Sequence, residues 1–128
     1  DHLYTTSETE RITSQVWYHM EQNAARIFTS QKADTVPLFR LYCPGSGDHL
    51  YTISDVERNT LVTCGQWNDE GRAGFVYTSQ APGTVPLYRV YRPGANDHFY
   101  TADDVEHVRA VNKYHDTPEG ISCYVYKA

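Results

Sequence analysis

The chain has 128 residues, 40% hydrophobic and 21% charged, which supplies one packed core and not two. No stretch approaches the roughly 18 apolar residues of a membrane-spanning helix, so no membrane insertion is expected. Sixteen acidic against eleven basic residues give a net charge of −5, which removes the attraction behind most nucleic-acid binding. Nucleic acid is therefore not an expected partner.

Self-similarity organises the chain. The motif DHLYT at 1–5 returns as DHLYT at 48–52 and as DHFYT at 97–101. Residues 29–52 align without gaps on 78–101, with 15 of 24 positions identical. The expected fold class is α+β: three pseudo-repeats of strand, turn, strand, helix, strand, giving an antiparallel sheet with short capped helices. A single domain covers 1–128, with repeat 1 at about 1–28, repeat 2 at about 35–77 and repeat 3 at about 84–128.

The first repeat opens directly on its DHLYT strand. A capping box, Ser7 to Glu10, predicts a helix to about Val16. Trp17 follows, and a closing strand is predicted at 25–28. The second repeat begins with the alternating run VPLFRLY at 36–42, the reversal Pro44-Gly45-Ser46-Gly47 and the returning motif strand, together a hairpin. Ser54 and Glu57 then start a helix to about Val62, followed by Trp67 and a strand at 74–77. The third repeat copies this order: VPLYRVY at 85–91, a turn at 93–96, a helix from Asp103 and Glu106 to about Val111, Tyr114, and a strand at 123–126. The first repeat has no strand before Asp1 to pair with its motif. An open edge attracts a partner, so the C-terminal segment or another chain is expected there, and a homodimer is the natural partner.

Cys43, Cys64 and Cys123 are odd in number and too widely spaced for a zinc motif. A start at Asp1 without Met fits a mature or trimmed, secreted product. In an extracellular chain a disulfide between two of the three is expected, with the pairing open.

Eleven Tyr, four Phe and two Trp make up 13% of the chain. Such residues suit half-buried strands and also flat recognition surfaces. Sugar recognition needs an aromatic face for the ring and polar groups for its hydroxyls. Trp17-Tyr18-His19, Gln66-Trp67-Asn68-Asp69 and Tyr114-His115-Asp116 combine both, in segments expected to be irregular, where binding residues concentrate. Arg58, at the start of the second helix, is a further candidate. The competing role for these aromatics, and more so for Tyr114, is sealing a helix against the sheet.

His2, His49 and His98 occupy equivalent positions, and three imidazoles can bind zinc. Structural bonding to turns and neighbouring strands is the simpler account, so neither metal nor cofactor is expected. Arg40 and Arg89 should pair with repeat carboxylates such as Glu57 or Glu106. No nucleophile elbow or phosphate loop is present, and no catalytic role is expected.

The run PLYRVYRPGANDHFYT, followed by a capped helix and an EG-x-x-x-YVY strand, resembles the DHFYT-type repeat of secreted and cell-surface bacterial and fungal proteins. A free-standing acidic chain of such repeats is similar to a small mushroom lectin. The resemblance implies an oligosaccharide or glycoconjugate as partner, with a terminal amino sugar or fucose; from the chemistry of the residues, the sugar is expected on Trp67 or Trp17, with Asn68, Asp69, Tyr18 and His19 binding hydroxyls and Arg58 a weaker candidate. The alternative is a protein-interaction or enzyme-inhibitor module using the same tyrosine-rich surface.

Overall fold

The computed structural model describes residues 11–12, 15–19 and 25–127. The fold is α+β, with a nine-stranded antiparallel sheet and two short helices among the described residues. Strand β1 (Arg11–Ile12) pairs with β2 (Gln15–His19), which pairs with β3 (Arg26–Phe28). A middle segment follows: β4 (Thr35–Cys43), β5 (Asp48–Thr52), α1 (Asp55–Thr63) and β6 (Asn68–Tyr77). The last segment has the same order: β7 (Val85–Arg92), β8 (Asp97–Thr101), α2 (Asp104–Asn112) and β9 (Thr117–Val125).

Both expected hairpins form, with Cys43 opposite Asp48 and Arg92 opposite Asp97 across the turns. Pro37 sits in β4 beyond the stretch that β5 covers, where only β6 pairs, so its missing N–H breaks no two-sided ladder. Both helices start at the expected cap residues, but the carboxylate half of each capping box is replaced by a threonine. Ser54 Oγ accepts from Glu57 N at 3.0 Å, and Asp103 Oδ1 accepts from Val105 N at 2.9 Å. The cap residues' own N–H groups donate to Thr52 and Thr101, each at 3.0 Å. That role of the motif threonines leaves the Glu57 carboxylate available for another partner.

The predicted first helix is corrected over its second half. Residues 11–12 and 15–19 are strand, not helix to Val16. Ile12, Val16, Trp17 and Tyr18 are β-branched or aromatic, restricted in a helix and favoured in strands. The capping box at 7–10 and the motif at 1–5 lie outside the described residues.

The closing strands are also longer than expected, starting at Asn68 and Thr117 rather than 74 and 123. Their polar first halves are largely solvent-exposed, which hid them from a hydrophobicity pattern. Each bulges against its neighbour near a glycine with left-handed backbone, Gly71 at φ +85° and Gly120 at φ +87°.

Strands β3, β6 and β9 meet end to end around the centre. Phe28 pairs with Phe75, Tyr77 with Tyr124, and Tyr126 with Arg26. Arg26 N donates to Tyr126 O at 2.8 Å, so the C-terminal residues join β3. The rings of Phe28, Tyr77 and Tyr126 pack mutually edge-on, with centroids 5.8 to 6.2 Å apart. Burial and the hydrogen bond to Tyr77 push the Tyr126 hydroxyl up to about 12. The main core lies behind this triad and includes Ile27, Leu38, Tyr51, Val76, Leu87, Tyr100 and Val125. Tyr100 ties it across segments, its hydroxyl donating to Tyr51 O at 3.1 Å and accepting from Tyr51 N at 2.7 Å.

No disulfide joins the three cysteines, against expectation. Cys123 is sealed in the core and Cys64 stands exposed after α1, while Cys43 is half-buried at a hairpin end. Three such different environments bring no two thiols together. Burial pushes the Cys123 thiol up to about 12. No described helix is long and apolar enough to cross a membrane.

Gly74 marks the closest approach of β3 to β6. A Cβ there would lie 2.6 Å from the Phe28 carbonyl oxygen and 2.6 Å from Ile27 Cδ1. Gly74→Ala must part the two strands and is expected to destabilise the fold by about 1–3 kcal/mol. Urea unfolding checks this; a variant as stable as the parent would contradict the packing described.

Candidate functional site

The site is assembled from the hydrogen-bond needs of a half-buried guanidinium. Arg89, on β7, bonds Glu57 of α1 through both terminal nitrogens at 3.0 and 2.8 Å, and Glu119 of β9 through Nε at 2.9 Å. Burial raises the Glu57 carboxyl, but hydrogen bonds from Arg89 and Thr52 overcome that and hold it below its ordinary value. Glu119 also reaches His98 Nε2 at 3.4 Å. On its other side, His98 bonds the buried Asp48 carboxylate through Nδ1, and its backbone N–H donates to Asp48 Oδ1 at 3.0 Å. Five charged or titratable side chains from both segments thus form one chain: Glu57, Arg89, Glu119, His98 and Asp48.

His98 forms the floor of an open cleft of about 290 Å³. The Tyr91 ring lies 4.9 Å from the imidazole and the Trp67 indole meets it edge-on at 6.2 Å. Gln66, Ser46, Cys43 and Asn96 complete the lining, and the Tyr91 hydroxyl bonds the Asn96 side-chain oxygen. One half-exposed indole therefore faces hydrogen-bonding groups carried by β5, β7, β8 and β9.

Two of the lining positions differ in kind between the two segments. In the last segment Arg92 and the buried Asp116 form an ion pair, with Nη2 2.7 Å from Oδ2. The equivalent positions in the middle segment, 49 residues earlier, are Cys43 and Trp67. The ion pair is replaced by a small thiol and a large ring, both of which line the cleft.

The structure divides the candidates named from sequence. Trp67 lines the cleft. Asn68 and Asp69 are the first residues of β6 rather than irregular structure, and neither lines the cleft. Asp69 is engaged by Arg58, whose Nε donates at 2.9 Å, and by Gly71 N at 2.8 Å. The Gly71 amide, with Arg58, holds the Asp69 carboxyl below its ordinary value. Arg58 lies 4.0 Å from the Phe39 ring centroid and lines a separate cavity of about 510 Å³. The equivalent pair, His107 on Tyr88, stacks at 4.1 Å, so both residues tie a helix to a strand. Trp17, Tyr18 and His19 also lie in strand, opposite Phe28, Ile27 and Arg26, because β-branched and aromatic residues favour it. Their side chains are outside the described residues. Tyr114 does not seal α2; it is 54% exposed, with Arg92 and Lys113 over its ring.

Sequence inspection missed Asp48, Tyr91, Asn96, His98 and Glu119 as cleft residues, because repetition made them read as structural. The usable signal was a coupled difference within the repetition, Cys43 with Trp67 against Arg92 with Asp116. Among the described residues, no three His, Cys, Asp or Glu side chains are grouped to hold a metal ion.

The titrating groups predict acid lability. Burial lowers His49 from 6.5, outweighing the opposing pull of Glu70, and Glu57 lies below 4.5. In both cases the unfolded chain takes up protons first as pH falls. The stability they confer is present above those ordinary values and is lost below them. Thermal unfolding from pH 7.5 to 3.5 should show a falling Tm, and His49→Gln should flatten the limb just below pH 6.5. An unchanged limb in that variant would contradict the assignment.

A family model described as "Domain of unknown function (DUF5648)" matches residues 1–126. No curated protein and no solved structure matches the chain. The chain belongs to the DUF5648 family.

Proposed function

We propose that the cleft between Trp67 and His98 binds carbohydrate without catalysis, making the protein a lectin for a cell-surface oligosaccharide or glycoconjugate. The observation that carries this is an indole at the wall of a solvent-open cleft whose other walls are hydrogen-bonding side chains. An apolar sugar face stacks on such a ring while hydroxyls meet Gln66, Asn96, Ser46 and the carboxylates. Between an amino sugar and fucose, the lining favours the amino sugar. It contains Asp48 and Glu119 but neither Lys nor Arg, and an ammonium group suits both carboxylates and aromatic faces.

The architecture proposed with this function is three pseudo-repeats around a common centre. Its support is the matching order of the middle and last segments and the ring of pairings among β3, β6 and β9. Extracellular placement and homodimerisation belong to the same proposal and rest on sequence expectations alone. One observation favours the alternative of a protein-interaction module. Val105 and Val108 on α2 are 66% and 53% exposed and line an apolar groove of about 390 Å³.

A glycan array screened with labelled protein separates the two. The lectin account expects discrete hits sharing a terminal amino sugar, displaced by the free sugar; a blank array favours the interaction module. Trp67→Ala is expected to weaken binding at least tenfold with unchanged circular dichroism, a loss of about 1.4 kcal/mol or more. The double variant Cys43→Arg, Trp67→Asp copies the Arg92 and Asp116 ion pair into the cleft and should fold while losing binding. Full binding by that folded variant would overturn the site assignment.

A further inference from the structure

The middle segment repeats half of the cleft at a second place. Tyr42 lies against His49 with ring centroids 4.7 Å apart at 37°, where Tyr91 lies against His98 at 4.9 Å and 43°. His49 Nε2 is 3.5 Å from Glu70 Oε1, where His98 Nε2 is 3.4 Å from Glu119 Oε1. Arg40 Nε holds Glu70 at 3.0 Å, where Arg89 Nε holds Glu119 at 2.9 Å. Both imidazoles are 11% exposed. The agreement extends to element positions, since Tyr42 and His49 are register partners in the first hairpin, as Tyr91 and His98 are in the second.

This agreement exceeds what packing requires. The helix-to-strand ties at equivalent positions use different chemistry in the two segments, Arg58 on Phe39 in one and His107 on Tyr88 in the other. The helix-end positions differ as well, Trp67 against Asp116. The Tyr, His and Glu trio keeps both identity and geometry, and Arg40 keeps the distance but not the hydrogen-bond angle of Arg89.

We infer that the chain holds a second carbohydrate site built on Tyr42, His49 and Glu70, taking the same class of amino sugar as the Trp67 cleft. The inference rests on the carbohydrate reading of that cleft. Glu70 supplies the carboxylate for an ammonium or hydroxyl group, and the Tyr42 ring supplies the apolar surface. One readable difference lowers the affinity of this second site. The position of Asn96 is Gly47 in the middle segment, so the second site lacks the side-chain amide beside its tyrosine. One missing hydrogen bond corresponds to binding about five- to tenfold weaker. Two sites on one chain would let a monomer bridge two glycans, with avidity gained from linkage and no new contact.

Calorimetric titration with the fully deacetylated chitotriose, a glucosamine trimer, tests this on the whole chain. The wild-type protein should bind two trimers in two affinity classes. The Cys43→Arg, Trp67→Asp variant should bind one, at the weaker affinity, and adding Tyr42→Ala should remove it. As a check independent of Tyr42 folding effects, the His49 and His98 imidazole signals of the wild-type protein should both shift, saturating at different trimer concentrations. One trimer per chain, with His49 signals unmoved, would overturn the second site and leave the first standing. No binding by the wild-type protein would overturn the amino-sugar reading and the second site together.

Discussion

Arg89 is the constraint on which the rest depends. A guanidinium that is only 15% exposed must have its donors met, and the partners available come from two directions. Glu57 arrives from α1 of the middle segment and Glu119 from β9 of the last, while the Tyr51 carbonyl accepts at 3.4 Å. One side chain thereby fixes a helix, a hairpin and a closing strand relative to one another. Helix α1 contributes no buried residue, so an apolar stripe does not anchor it. Its position is set by polar ties, Glu57 to Arg89 and Arg58 to Asp69 and Phe39.

The cleft follows from the same network. Because Glu119 is held by Arg89, it is placed beside His98, and Asp48 holds the opposite edge of the imidazole. The ring becomes a fixed floor at the boundary between the segments. Whether such a boundary is open is decided at two positions. Arg92 with Asp116 close one end of the last segment by an ion pair, and Cys43 with Trp67 leave the matching place open and aromatic. In the proposed account the binding surface lies where the middle segment has a thiol and an indole in place of that ion pair.

Much of the fold was legible in the sequence because its signals are local. Hairpin turns at 44–47 and 93–96, caps at Ser54 and Asp103, and helix ends near Val62 and Val111 depend on residues a few positions apart, and all are observed to within a residue or two. The early halves of β6 and β9 were not legible, since exposed polar strands with a left-handed glycine carry no hydrophobic alternation. The strands at 11–12 and 15–19 were not legible because a capping box signals a helix start locally, while the β-branched and aromatic residues after it favour strand. At the site, Trp67 could be named from its type alone. His98, Tyr91 and Glu119 could not, because their approach to it depends on pairing between residues about 24 to 52 positions away in the chain.

The central claim is that Trp67 and His98 line a sugar site. Its most direct test is the two-dimensional NMR spectrum of the protein recorded as an amino-sugar oligosaccharide is added. The account predicts that the Trp67 indole N–H and the His98 imidazole signals move early and together, with those of Tyr91 and Asn96. Shifts confined to Val105 and Val108 on α2, or a spectrum that does not change at millimolar sugar, would contradict it.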